Sequence, residues 1–125
     1  SIYNIYGALV LKRCVCEGYA KALQYLLTEA GLENIIITGN ATNSDGKTEN
    51  HAWNYVNINE KWYAIDSTWD DPIIIGGGKI TNTIRYRYFL KGSITMNKNH
   101  FISTKFTKDG QDFEFPELSI TDYNI

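Results

Sequence analysis

Cys14 and Cys16, separated by one residue, are the first side chains of this sequence able to do covalent chemistry, and they are its only cysteines. A disulfide across a single intervening residue would need strained geometry, so no structural staple is expected. Two thiolates could serve zinc, but a closed site takes four ligands. His51 and His100 do not stand at zinc-finger spacing, so no metal is expected either. What remains is a nucleophile beside a packing residue. Cys16 takes the first role and Cys14 the second, because the residues from Cys16 onward read as the start of a helix. Unpaired N–H groups at a helix start concentrate positive potential, which favours the thiolate, the species that attacks. A buried, inert cysteine is the alternative reading of the same position.

A cysteine nucleophile needs a base held in one orientation, usually an imidazole whose second nitrogen is fixed by a carboxylate. His51 and Asp66 are the candidates, and strand periodicity decides whether they can meet. Strand signals cover residues 35–38, 52–58 and 62–65, with a Gly/Asn/Ser/Asp-rich loop over residues 39–50. Asn59-Glu60 reads as a two-residue hairpin turn, which pairs Ile58 with Lys61, Val56 with Tyr63 and Trp53 with Asp66. His51 shares a face with Trp53, so His51 and Asp66 become diagonal neighbours on that face. A three-residue turn would reverse the parity and separate them.

The helix that must carry the thiol is written as CEGYAKALQYLLTEAG. Cys16, Tyr19, Leu23, Leu26, Leu27 and Ala30 recur at helical spacing as an inward stripe, and Gly31 is placed as the stop. Beyond Asp66, residues 72–83 include Gly76, Gly77 and Gly78 and are expected to form a mobile rim over a cleft. Gly78-Lys79 does not fit a phosphate loop, since Ile80 follows and no helix pattern begins there. Residues 84–90 alternate as a strand, and residues 104–106 and 112–115 flank Lys108-Asp109-Gly110 as a late hairpin. His100 lies in a polar turn leading into that late region, which points to a surface or hydrogen-bonded structural role without a part in the chemistry.

Residues 1–125 fit one domain, and about two-thirds of the surface of such a chain can be buried without staples. A composition of 43% hydrophobic and 21% charged residues excludes whole-chain disorder. The net charge of -2 with scattered basic residues argues against nucleic acid and anionic membranes as partners. No apolar run approaches the ~20 residues of a spanning helix, so membrane insertion is not expected. The first residue is Ser1, so any export signal would precede this numbering.

Three motifs now stand together: Val15-Cys16-Glu17-Gly18-Tyr19-Ala20, His51-Ala52-Trp53-Asn54, and Trp62-Tyr63-Ala64-Ile65-Asp66-Ser67-Thr68-Trp69-Asp70. In that order they resemble a bacterial transglutaminase-like domain of the transglutaminase/papain-like cysteine enzyme superfamily. The resemblance implies an α+β fold in which the nucleophile helix packs on an antiparallel sheet. It implies Cys16, His51 and Asp66 as catalytic triad. Trp69, three residues beyond Asp66 at the strand end where a cleft rim would be, is the substrate-wall candidate, with Tyr19 and Trp53 as further substrate-binding candidates. Trp53, between His51 and the hairpin interior, leans toward the core. The implied reaction is attack on a peptide or protein amide, giving a thioester that water or an amine resolves, without a cofactor. The location implied is secreted or cell-surface in a Gram-positive bacterium.

Two departures stand out. Only fifteen residues precede Cys16, so some N-terminal family elements are expected to be missing. Ala8, Leu9, Val10 and Leu11 supply no glutamine as oxyanion donor, which leaves the Cys16 N–H, with Tyr6 as a second guess. The rival from another class is a catalytically inactive cell-surface interaction module that keeps the same fold.

Overall fold

The computed structural model describes the backbone of residues 2–70, 87–103 and 106–124, with side chains of these except 2–14, 106–108 and 112. Its first element is a single helix, α1 (Ile2–Glu29). The stop is where the sequence puts it. Gly31 adopts φ 80°, its N–H donates to the Thr28 carbonyl, and the Leu32 N–H donates to the Leu27 carbonyl, which together form a Schellman cap.

The start of α1 corrects the sequence reading. With no proline upstream to break it, the helix runs back past Cys16 to Ile2, so the thiol sits in the helix interior rather than in a first turn. The Cys16 N–H is correspondingly committed to helical bonding, not available as an oxyanion donor. The inward stripe also differs: Cys16 and Ala20 are buried and Leu23 and Leu27 pack against the core, whereas Leu26 is 63% exposed and Ala30 is exposed too.

Four antiparallel strands follow in the order β3-β2-β1-β4, formed by β1 (Asn34–Thr42), β2 (Thr48–Ile58), β3 (Lys61–Ile65) and β4 (His100–Ile102). A short helix, α2 (Ser93–Met96), leads into β4, and β5 (Phe106–Lys108) with β6 (Gln111–Phe113) makes a separate hairpin. This is the α+β arrangement, a helix against an antiparallel sheet. Asn59 and Glu60 both take positive φ, 52° and 69°, as a type I′ turn requires. The expected pairs Ile58 with Lys61 and Val56 with Tyr63 are formed, so the parity of the hairpin holds.

Alternation along the strands sorts the core into two layers. Ile37, Trp53, Tyr55 and Ala64 point to one face with Tyr88 and Met96. Ile36 and Ala52 point to the other with Cys16 and Ala20 of α1, and Val56, Tyr63 and Ile65 join Leu23 and Leu27 there. The buried Asn54 amide donates to the Ala20 carbonyl (2.9 Å), fixing the depth of α1 against β2 one turn after Cys16.

Residues 87–90 form turn and bend where a strand was expected, although Lys91 still pairs with Ala64 as an isolated bridge. Residues 84–86, the expected rim over residues 72–83 with its three glycines, and the side chains of Tyr6 and Cys14 lie outside the described residues.

Gly39 marks where β1 and β4 come closest. A Cβ there would lie 2.2 Å from the Phe101 carbonyl oxygen and 2.9 Å from the Ile102 Cα, both backbone atoms that cannot swing aside. Gly39→Ala is therefore expected to cost about 1–3 kcal/mol by prying β4 from the sheet, measured as a shift in urea midpoint at unchanged slope.

Candidate active site

Asp66 follows the last residue of β3, one step beyond the Asn54–Ile65 pair, which puts it on the face of Trp53. The chain turns immediately after it. The Trp69 N–H donates to Asp66 Oδ1 (3.1 Å) and the Asp70 N–H to the Asp66 carbonyl (3.0 Å), so the side chain caps its own turn. That leaves Oδ2 for the sheet. His51 Nε2 lies 2.6 Å from it, the diagonal contact that the strand register implies.

An ionised carboxylate only accepts hydrogen bonds, so His51 carries its proton on Nε2 and keeps Nδ1 as the basic position. Burial pushes the Asp66 carboxyl up, but hydrogen bonds from His100 and then His51 outweigh that and hold it below the ordinary range. Aromatic rings enclose the pair. Trp53 stacks on His51 at 5.7 Å between centroids, and Trp69 lies 5.5 Å away at a tilt.

Cys16 approaches from the other layer. It clusters with Ala20, Ala52 and Ile36 on the helix side, whereas His51 lies on the strand face of Trp53. The two nonetheless share two adjoining cavities. One, of about 390 Å³, is lined by Val15, Cys16, Ala41, His51 and Trp69 among others. The other, of about 230 Å³, is lined by Cys16, Thr38, Gly39, His51, Ala52 and Ser103 among others. Cys16 itself is 4% exposed. Burial raises its thiol pKa, backbone hydrogen bonds from Ala52 and Glu17 and the charges of Glu17 and Asp66 act around that, and the net direction is up from 9.0. That direction is opposite to the thiolate-favouring one expected from a helix start.

The substrate-binding candidates separate. Trp69 lines the larger cavity. Trp53, 1% exposed, lies in the core beneath His51 and lines none of the cavities described, so it supports the imidazole rather than walling the cleft. Tyr19 is half-buried on α1 and likewise lines none of them. His100 is the residue that local reading missed. It is buried, and its Nε2 lies 2.7 Å from the same Asp66 Oδ2 that His51 contacts. Only the pairing of β4 with β1, which sets His100 opposite Ala41, brings it there, and no local signal encodes that pairing. The three groups have donor atoms within 4.8 Å of one another and are of types that transition metals accept. Both Nε2 atoms are engaged with one carboxylate oxygen at hydrogen-bond distance, so the cluster is a closed polar network.

The model of the transglutaminase-like superfamily matches residues 1–67. The chain belongs to the transglutaminase-like superfamily. Kyphoscoliosis peptidase of Mus musculus and that of Homo sapiens are each 26% identical to it over 98 residues, 72% of this chain and 15% of theirs. The chain thus spans about 15% of the length of these curated relatives. Members of the superfamily are generally cysteine-dependent, and the group that this chain brings together is His51, Asp66 and His100.

Asp70, next to this network, behaves oppositely to Asp66. Burial first, then the Asp66 charge, push its pKa up to about 6, against lowering by the Tyr88 N–H and Lys91. A carboxyl with a raised folded pKa holds its proton longer folded than unfolded, so stability falls as pH rises from 3.8 to about 6. Asp70→Asn, whose oxygen can still accept the Tyr88 N–H, is expected to stabilise the chain by about 1 kcal/mol at neutral pH, discounted for half-exposure. Urea melts should show that gain vanishing below pH 3.8.

Proposed function

We propose that this chain is a thiol-dependent transglutaminase-like enzyme acting on peptide or protein amides, with Cys16 as nucleophile, His51 as base and Asp66 orienting the base. The observation that carries the reading is the 2.6 Å His51–Asp66 bond beside cavities that His51 shares with Cys16. Because the Cys16 pKa is raised, attack is coupled to proton transfer. The Sγ–H proton passes to His51 Nδ1 as sulfur bonds to the amide carbon, Asp66 stabilises the imidazolium, and His51 returns the proton to the departing amine. The acyl group remains on Cys16 as a thioester. Water, deprotonated by His51, attacks the thioester carbonyl and releases an acid as His51 returns the proton to the departing Cys16 sulfur, and a primary amine taking the same place yields a new amide. Trp69 supplies an apolar wall for the acyl side of the substrate in the larger cavity.

The test uses a library of glutaminyl peptides and unblocked peptides with cadaverine as amine. Mass spectrometry reads ammonia loss, amine incorporation or new termini, and hydroxylamine traps the thioester as a hydroxamate. A hydroxamate formed by the parent chain and lost in Cys16→Ser supports the reading. A folded chain that neither turns over these substrates nor reacts faster than a free thiol with iodoacetamide at neutral pH sinks it, in favour of an interaction module with the same fold.

A further inference from the structure

Asp66 receives two imidazoles on one oxygen, and the reaction proposed above uses only one of them. His51 Nε2 and His100 Nε2 lie 2.6 Å and 2.7 Å from Asp66 Oδ2. With Asp66 ionised, both rings must present N–H to it. Among the described residues, His100 is 2% exposed and lines none of the cavities described. It is instead braced from behind. Its Nδ1 lies 2.7 Å from Asn99 Oδ1, and the Asn99 amide nitrogen donates to the Tyr88 hydroxyl at 3.0 Å. The Tyr88 backbone meets the turn that follows β3, its carbonyl accepting the Asp66 N–H at 2.9 Å and its N–H donating to Asp70 at 2.8 Å. Trp69 and Trp53 meet the His100 ring edge-on at 4.6 Å and 4.9 Å, which fixes the plane in which it can turn.

The space for this second imidazole is written into β1. On the face where the two histidines converge, the positions opposite His51 and His100 are Gly39 and Ala41, the smallest side chains available. A Cβ at Gly39 would collide with the Phe101 and Ile102 backbone of β4, the strand that carries His100. A carboxylate held by a single imidazole can rotate and exchange its oxygens. Here the Trp69 N–H holds Oδ1 while His100 holds Oδ2, so the carboxylate plane is set before His51 is considered.

We propose that His100 is a positioning residue for the reaction assigned above, which locks the Asp66 carboxylate so that His51 is kept with its proton on Nε2 and its Nδ1 free to take the thiol proton. The inference rests on that assignment. His100 supplies no proton and touches no substrate. Its effect passes through Asp66 to the tautomer of His51, and loss of that alignment is of the kind in which a displacement of about 1 Å costs on the order of 100-fold.

The experiment reads iodoacetamide labelling of Cys16 in a Cys14→Ala chain by intact mass and the ring nitrogens of His51 by 15N NMR, on the full chain at neutral pH. His100→Met, which fills the space without a donor, is expected to slow labelling about 10- to 100-fold and to give His51 a mixture of tautomers. His100→Gln restores an N–H to Asp66 and should stay within about threefold of the parent rate with a single tautomer. In an Asp66→Asn background, His100→Met should add less than about twofold, because both changes break one linkage. Asn99→Ala loosens the ring from outside the core and should shift the tautomer in the same direction, so the question stays answerable if His100→Met does not fold. A His51 ring unmoved by Asn99→Ala and His100→Met, or effects that multiply in the Asp66→Asn background, overturns the positioning role. Labelling that His51→Ala leaves unchanged would instead overturn the assignment of His51 as base, whatever His100 does.

Discussion

Cys16→Ser is expected to lower turnover on the order of 10³-fold or more without changing the thermal midpoint by more than a few degrees. The serine fits, since Cys16 is a small side chain among Ala20, Ala52 and Ile36, but it is a far poorer nucleophile with the same base. His51→Ala should lose a comparable factor. The double variant should be little worse than either single one, because nucleophile and base act as a unit. The pH dependence separates this mechanism from a resting ion pair. With burial holding the Cys16 thiol above 9.0, labelling in His51→Ala should rise only once the pH passes that value, whereas the parent chain reacts near neutrality through His51. Equal labelling rates in both chains at pH 7 would show a thiol that ignores the histidine. Amine incorporation and peptide cleavage, followed side by side by mass spectrometry, decide which acceptor resolves the thioester.

Asp66→Ala should produce the largest combined effect, losing both fold and chemistry. The carboxylate is fully buried and satisfies His51, His100 and the Trp69 N–H at once. Removing it strands those donors in a water-poor layer, at a cost of about 3–5 kcal/mol. Asp66→Asn keeps the shape and separates the two consequences. The amide can still accept the Trp69 N–H, but an N–H₂ facing the imidazoles favours the wrong tautomer, a change that costs about 10⁴-fold in serine-protease triads. Stability should fall by less than in Asp66→Ala, and activity by almost as much.

The sign of the acid dependence follows from the same contacts. Hydrogen bonds from His100 and His51 lower the folded pKa of Asp66 below 3.8, so its stabilisation is complete above that value and is lost as pH falls through the folded pKa. Asp66→Asn should flatten the acid limb of a stability profile taken by urea melts, whereas Asp70→Asn removes the opposite slope between 3.8 and about 6. A steep acid limb retained in Asp66→Asn would place the acid-sensitive group elsewhere.

Local sequence determined what depends on short range. The Schellman stop of α1 at Gly31 was legible because glycine reaches φ 80° without a Cβ penalty. The β2–β3 register was legible because Asn59-Glu60 leaves two residues between the strands, and a period of two then places His51 and Asp66 on one face with no further information. The three motifs around Cys16, His51 and Asp66 gave the superfamily for the same reason: each is a local pattern in a fixed order.

Tertiary structure decided the rest, and each case has a physical cause. The start of α1 was hidden because nothing breaks the helix before Cys16, and so the environment of the thiol is set by burial against Ala52 rather than by a helix terminus. Cys16 and His51 occupy opposite layers of the sheet and line shared cavities, a relation between a helix packing depth and a strand face that no periodicity records. His100 became a second ligand of Asp66 because β4 pairs with β1 at Gly39 and Ala41, across a separation of about sixty residues in the chain. Strand parity is a property of neighbours, but which strand lies beside which is fixed by the burial of the whole sheet.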